Sequence, residues 1–173
     1  IDEAWVYGLM RQESRFVNVA RSSVGAAGLM QIMPATARWI AKRLGIRRFQ
    51  ADEMRDPARN IQFGAYYLKH VLSTLDGSPV LATTAYNAGP GRAQRWRSAQ
   101  PMEAAIYIES IPFAETRDYV KKVMGNAMYY AVRVGTAGRL VWTFHTASAR
   151  TVQIYETSGL KSESSYIPKR TSI

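Results

Sequence analysis

The chain has no cysteine, which excludes disulfides and thiolate metal sites. The absence leaves the compartment open, because exported proteins without cysteine are common. Histidine is nearly as scarce. His70 and His145 stand far apart, match no metal-ligand spacing, and read as structural or solvated side chains. No apolar run approaches the roughly 20 residues that a membrane-spanning helix needs. Acid is in short supply: 13 Asp and Glu against 23 Lys and Arg give a formal net charge of +10. That balance favours a polyanionic partner, such as nucleic acid, an acidic membrane surface or an anionic cell-wall polymer. The basic residues are scattered, however, and no Gly-rich phosphate loop, zinc-finger spacing or RNA-binding aromatic signature accompanies them. Nucleic acid is therefore the minority reading.

What is present is ordinary globular material. With 173 residues, 47% apolar and 21% charged, the chain is one domain, or one domain with an appendage, and can bury a proper core. It opens with Ile1 in a helix-like stretch without initiator Met, as a trimmed or processed chain would, so a targeting segment would not be visible. Pro34, Pro57, Pro79 and Pro101 each precede a helix-like segment, where a missing N–H costs nothing. Asp56 and Ser78 are candidate N-caps, and Gly45 and Gly77 stand where left-handed C-caps are expected. One predicted helix runs from Pro57 to Leu75 with Ile61, Ala65, Leu68, Leu72 and Leu75 on one face. Another runs from about Phe113 to Val134 with Val120, Val123, Ala127, Tyr130 and Val134. The fold class is all-α. After Gly135-Thr136-Ala137-Gly138 the pattern changes: Leu140, Trp142 and Phe144 alternate, as do Val152 and Ile154. A small C-terminal β-hairpin or an irregular extension fits equally, which divides the chain into 1–138 and 139–173.

One residue interrupts the helical pattern near the start. After a possible cap at Asp2, Trp5, Leu9, Glu13 and Phe16 follow at helical spacing and share a face. Three of the four are large and apolar, and Glu13 is carried with them. An unpaired ionised carboxylate in an apolar site costs several kcal/mol, and the usual escape is a raised pKa. From the helix alone two readings stand open. Glu13 is a rim residue paired with Arg11, Arg15 or a distant Arg, or it is a desolvated functional acid.

Two further segments bear on the choice. "SSVGAAGLMQIMP", residues 22–34, is dense in glycine and small residues, which turn backbone sharply or bring it close to something. Within it Gln31 sits between Met30 and Ile32, where a buried amide needs partners. "TTAYNAGPGR", residues 83–92, ends a helix near Tyr86-Asn87 and stops it with Gly89-Pro90-Gly91. Each alone reads as a helix terminus and a loop.

In order, "QES" at 12–14, "GLMQIMP" at 28–34 and "AYNAGPGR" at 85–92 closely resemble the signature of the soluble lytic transglycosylases. "IESIPFAETRDYV" at 108–120 is similar to the fourth motif of that family, and the resemblance covers roughly residues 1–134. It implies a lysozyme-like helical domain acting on peptidoglycan in the periplasm or cell envelope. Such enzymes cleave the β-1,4 bond between N-acetylmuramic acid and N-acetylglucosamine and close the muramic acid C6 hydroxyl onto C1, leaving a 1,6-anhydro end. By motif, Glu13 would be the catalytic acid and base. Ser14, Gln31, Met33, Tyr86 and Asn87 would surround the reacting sugars, and Glu115 would bind substrate. Peptidoglycan glycan strands would be the partner of a monomer, with envelope association possible, and no cofactor, metal or nucleic acid is implied. Where the family often has Asn-Pro after the first motif, Val17-Asn18 stands here, a departure confined to the helix exit.

The residues themselves limit the chemistry. A glycosidase normally uses a second carboxylate, yet none lies between Glu13 and Asp52. Asp52 and Asp56 sit in a polar, turn-like stretch, Glu109 reads as a surface charge or ion pair, and Asp118 is placed to pair with Lys121 or Lys122. Glu115 is open between an ion pair with Arg117 or another Arg and a role in binding. Without a second carboxylate, the sugar's own N-acetyl oxygen must stabilise the cationic centre. Three rivals remain: a hydrolytic muramidase of the same fold, a non-catalytic peptidoglycan-binding module, and a nucleic-acid binder.

Overall fold

The computed structural model describes residues 1–100 and 102–136. The elements run α1 (Glu3–Glu13), α2 (Pro34–Arg43), a 3₁₀ turn (Ala51–Arg55), α3 (Pro57–Thr74), α4 (Pro79–Ala88), α5 (Pro90–Arg95), α6 (Ala104–Ser110) and α7 (Ala114–Arg133). Among the described residues there is no strand, only bridges joining Arg21 to Ala27 and Ala27 to Ile32. The all-α reading stands. The expected C-terminal hairpin, with the remainder of 139–173, lies outside the described residues.

The local chemistry of the helix ends explains most boundaries. The Asp2 carboxylate accepts from the N–H groups of Ala4 and Trp5 and starts α1. Asp56 does the same for α3 through Arg59 N–H, and Ser78 for α4 through Leu81 N–H. Pro34, Pro57 and Pro79 occupy the first helical turn, as their fixed φ favours. Gly89-Pro90 is more than a stop. Gly89 ends α4 at φ 89°, and Pro90 immediately begins α5.

α1 packs along α7, and this pair forms the floor of the site. The approach is close because position 8 has no side chain: a Cβ there would lie 2.7 Å from Ala127 N and 2.8 Å from Val123 O. Trp5 and Leu9 are buried from the same side, and the Trp5 indole N–H donates to Thr83 Oγ1 on α4 at 3.1 Å. On α7, Val120, Val123 and Ala127 are buried as expected, but Val134 is exposed beyond the helix end.

Two apolar faces differ from their sequence pattern. α1 ends at Glu13, so Phe16 does not extend its stripe. Arg15 and Phe16 turn into left-handed backbone at φ 53° and 66°, and Phe16 is 41% exposed against Tyr7 and Tyr130. On α3 the fully buried side is Asn60, Phe63, Gly64, Leu68 and Val71, whereas Ile61, Ala65 and Leu72 are half-buried. The helix is rotated because two neighbours compete for it, the core on one side and the 14–33 loop on the other.

Candidate active site

Glu13 is the last residue of α1, where the helix gives way to the loop. Its side chain meets no cation among the described residues. Instead the Tyr119 hydroxyl on α7 donates to Glu13 Oε1 at 2.5 Å, and neither Arg11 nor Arg15 pairs with it. Oε2 has no hydrogen-bond partner among the described residues. Burial pushes the carboxyl pKa up from 4.5 to about 7, with the Tyr119 hydrogen bond pulling the other way. Tyr119 stays a phenol, since burial and then the charge of Glu13 hold its pKa well above 10. It is therefore a fixed donor to one carboxylate oxygen, leaving the other to face a ligand.

The second wall comes from the loop and α4. The Tyr86 hydroxyl donates to Met30 O at 2.9 Å, and burial, followed by the nearby charge of Glu13, raises its pKa well above 10. Gln31 adopts φ 47° and its Nε2 donates to Gly28 O at 2.8 Å and Ala20 O at 3.1 Å, so its amide finds the partners burial demands. A groove of about 300 Å³ is lined by Gln31, Ile32, Met33, Thr36, Tyr67, Tyr86, Asn87, Ala88 and Gly89. Asn87 Oδ1 accepts from the buried Thr116 hydroxyl at 2.7 Å, which ties this wall to α7.

The loop owes its shape to a residue the sequence pattern did not single out. Asn60, fully buried on α3, accepts from Met30 N–H at 2.8 Å through Oδ1 and donates at 2.9 Å to both Ala27 O and Met54 O through Nδ2. Gly28, at φ 77°, lets the loop lie on it, because a Cβ there would fall 2.1 Å from Asn60 Nδ2. An asparagine among the apolar residues of an amphipathic helix was the available signal.

Four of the sequence-nominated residues, Gln31, Met33, Tyr86 and Asn87, thus share one groove, and Glu13 adjoins it through Tyr86. Ser14 is buried, with its hydroxyl donating to Met10 O and accepting from Phe16 N–H; it shapes the exit of α1. Glu115 is exposed in the first turn of α7. It forms no ion pair among the described residues: Arg117 turns to the carbonyls of Glu109 and Ile111 and lies 4.0 Å from Glu109 Oε2. The expected pairing of Asp118 is also absent among the described residues, since Lys121 reaches Glu109 at 2.5 Å. The inward face of the fourth motif is Thr116, Tyr119 and Val120, one helical face spaced by three and four. Tyr119 was visible in that motif but, at helical spacing, indistinguishable from a core aromatic.

This site holds a carboxyl whose pKa is raised to about 7 beside a groove, and a group of that kind is suited to both giving and taking a proton. Residues 1–108 match the transglycosylase SLT domain, and residues 110–138 the soluble lytic transglycosylase helical domain. The chain belongs to the transglycosylase SLT family. It is 40% identical over 138 residues to the soluble lytic murein transglycosylase of Escherichia coli K12, covering 78% of this chain and 21% of that protein. A membrane-bound lytic murein transglycosylase C from Actinobacillus succinogenes is 33% identical over 146 residues, covering 71% of this chain and 40% of that protein. Among solved structures, an inactive glutamate-to-glutamine mutant of the Pseudomonas aeruginosa lytic transglycosylase Slt superposes with a TM-score of 0.75 at 41% identity, covering 79% of this chain and 22% of that one. The Escherichia coli 70 kDa soluble lytic transglycosylase in complex with bulgecin A gives 0.71 at 37% identity, covering 78% and 22%. This SLT domain spans about a fifth of the length of its soluble relatives.

Proposed function

We propose that this SLT domain is the catalytic domain of a peptidoglycan lytic transglycosylase of the periplasm or cell envelope, with residues 1–138 as the catalytic unit and 139–173 as an extension. It cleaves the β-1,4 bond between N-acetylmuramic acid and N-acetylglucosamine and leaves a 1,6-anhydromuramic acid end. The observation that carries this reading is the state of Glu13: a carboxyl with a pKa of about 7, fixed by Tyr119 through one oxygen and open through the other. Protonated, Glu13 gives its proton to the glycosidic oxygen as the bond breaks. Ionised by that step, it takes the proton of the C6 hydroxyl as that oxygen bonds to C1 of the same sugar. Proton and charge balance without water.

Two facts support a single-carboxylate route over hydrolysis. The sequence offers no second carboxylate between Glu13 and Asp52, and Glu115 is exposed. A retaining hydrolase needs such a carboxylate about 5 Å away, and an inverting one needs a base about 6.5–9.5 Å away. The C6 hydroxyl, by contrast, is tethered to its target, and intramolecular attack reaches effective molarities of about 10⁵ M in favourable cases. Gln31, Met33, Tyr86 and Asn87 would hold the reacting sugars in the groove, with Ser14 setting the exit of α1 and Glu115 reaching the substrate from the mouth of α7. The inactive mutant of the Pseudomonas relative, a glutamate replaced by glutamine, agrees with one essential glutamate.

Digestion of peptidoglycan in ¹⁸O-labelled water tests the reading. Muropeptides should end in 1,6-anhydro-N-acetylmuramic acid, lighter by one water than reducing ends and without label. Predominantly labelled reducing ends would make the protein a muramidase.

A further inference from the structure

α7 turns Thr116 and Tyr119 inward, about 4.5 Å apart along the helix axis, and each hydroxyl donates to a side chain of the site. Tyr119 holds Glu13. Thr116, only 3% exposed, holds Asn87 Oδ1 at 2.7 Å. The other threonines of the helices spend their hydroxyls locally: Thr74, Thr83 and Thr84 return theirs to carbonyls of their own helices. Thr116 instead reaches across to α4. A valine of the same shape would fill its position with no hydroxyl to satisfy, so the bond to Asn87 is what a threonine adds there.

Asn87 stands in the last turn of α4, half-buried, and lines the groove. The helix fixes its backbone. Its amide torsion is broad and two-fold, so oxygen and nitrogen exchange places unless a partner holds one of them. With Oδ1 held by Thr116, Nδ2 remains, and it has no partner among the described residues.

We propose that Thr116 is a positioning residue whose hydroxyl fixes the Asn87 amide so that Nδ2 faces the groove and donates to an acceptor oxygen of the bound sugar. The proposal rests on the groove being a glycan site. Ring oxygens, glycosidic oxygens and acetamido carbonyls only accept, and an amide turned the other way would meet them with a second acceptor. A donor oriented in advance loses no rotational freedom when the sugar binds. Thr116 thus does for the amide what Tyr119 does for the carboxyl.

The test is the kinetics of cleavage of short soluble glycan strands, taken per folded molecule and counting cut strands whatever their ends. Thr116→Val keeps the shape and removes the donor. Its kcat/KM should fall about fivefold, the worth of one neutral hydrogen bond, while its melting midpoint stays within about 4 °C of the parent. The pH profile should not move, because Glu13 keeps Tyr119. Thr116→Ser retains the hydroxyl and should bring kcat/KM back to within about twofold of the parent, even where the lost methyl lowers the midpoint. Adding Thr116→Val to Asn87→Ala should change kcat/KM by less than about 1.5-fold, because the group it orients is already gone. An equal loss in Thr116→Ser, or an undiminished loss in the Asn87→Ala background, overturns the proposal and leaves Thr116 as a tie between α4 and α7. A Thr116→Val protein with the parent's kcat/KM, or with a shifted pH profile, overturns it as well. A parent that cuts no strand overturns the glycan reading and this proposal together, whereas hydrolytic ends would change the reaction and leave the role of Thr116 standing.

Discussion

Burial raises the Glu13 pKa from 4.5 to about 7, and this has a stability consequence separate from catalysis. The folded protein binds the proton more tightly than the unfolded chain, whose glutamate titrates near 4.5. Between roughly pH 4.5 and 7 the native state holds more protons, so stability falls as pH rises through that window. Below it both states are protonated and the full contribution is present; above it the contribution is lost, on the order of 3 kcal/mol. Glu13→Gln should remove this dependence, so the variant melts above the parent at about pH 8 and close to it at about pH 4. Its turnover should fall by at least about 10²–10⁴-fold, because the proposed mechanism gives this one residue both proton-transfer roles. A melting midpoint at the alkaline end below that of the parent, or turnover within tenfold, contradicts this account. Tyr119 tests the same carboxyl from its other side. Its hydrogen bond holds the Glu13 pKa down, so Tyr119→Phe should move the pKa seen in kcat/KM to above 7. The stability lost should be that of one hydrogen bond, about 1 kcal/mol. An unmoved pH profile would mean that Tyr119 does not govern the carboxyl.

The elements show what could be read along the chain and what could not. Caps and prolines at α1, α2, α3 and α4 were legible because their chemistry is local: a carboxylate or hydroxyl meets an N–H two or three residues on. The Glu13 anomaly was legible for the same reason, as a charge at an apolar helical position. The partner that holds its carboxyl was not, because Tyr119 lies 106 residues away and no periodicity reports which buried aromatic meets which acid. The rotated face of α3 has a similar origin. Asn60 turns inward to carry the 14–33 loop, and its three hydrogen bonds decide the register of the helix as much as Phe63 and Val71 do. Asn60→Ala should therefore cost about 2–4 kcal/mol, since it leaves a cavity and orphans Met30 N–H and the carbonyls of Ala27 and Met54. Because Met30 O also receives the Tyr86 hydroxyl, turnover of the folded fraction should drop with it. Denaturation showing a loss under about 0.5 kcal/mol would mean that water replaces all three bonds.

At the scale of the molecule, the decisive question is how much of the chain the catalytic unit needs. Among the described residues, the buried apolar side chains run from Ala4 to Ala131 and gather chiefly in one cluster built from α1 through α7. The groove, Glu13 and Tyr119 all lie within that span, and α7 closes onto α1. The proposed catalytic unit, residues 1–138, contains all of this cluster. The two family matches together stop at residue 138, at the point where the composition also changes. A protein ending at residue 138 should fold with a melting midpoint within a few degrees of the parent, the shift that about 1 kcal/mol produces in a domain of this size. Its kcat on short soluble glycan strands should change less than twofold, because every group assigned to proton transfer or sugar binding is retained. A midpoint lowered by more than about 10 °C would instead make 139–173 part of the folding unit, and a selective loss of kcat in a stable protein would place a reacting group in that extension.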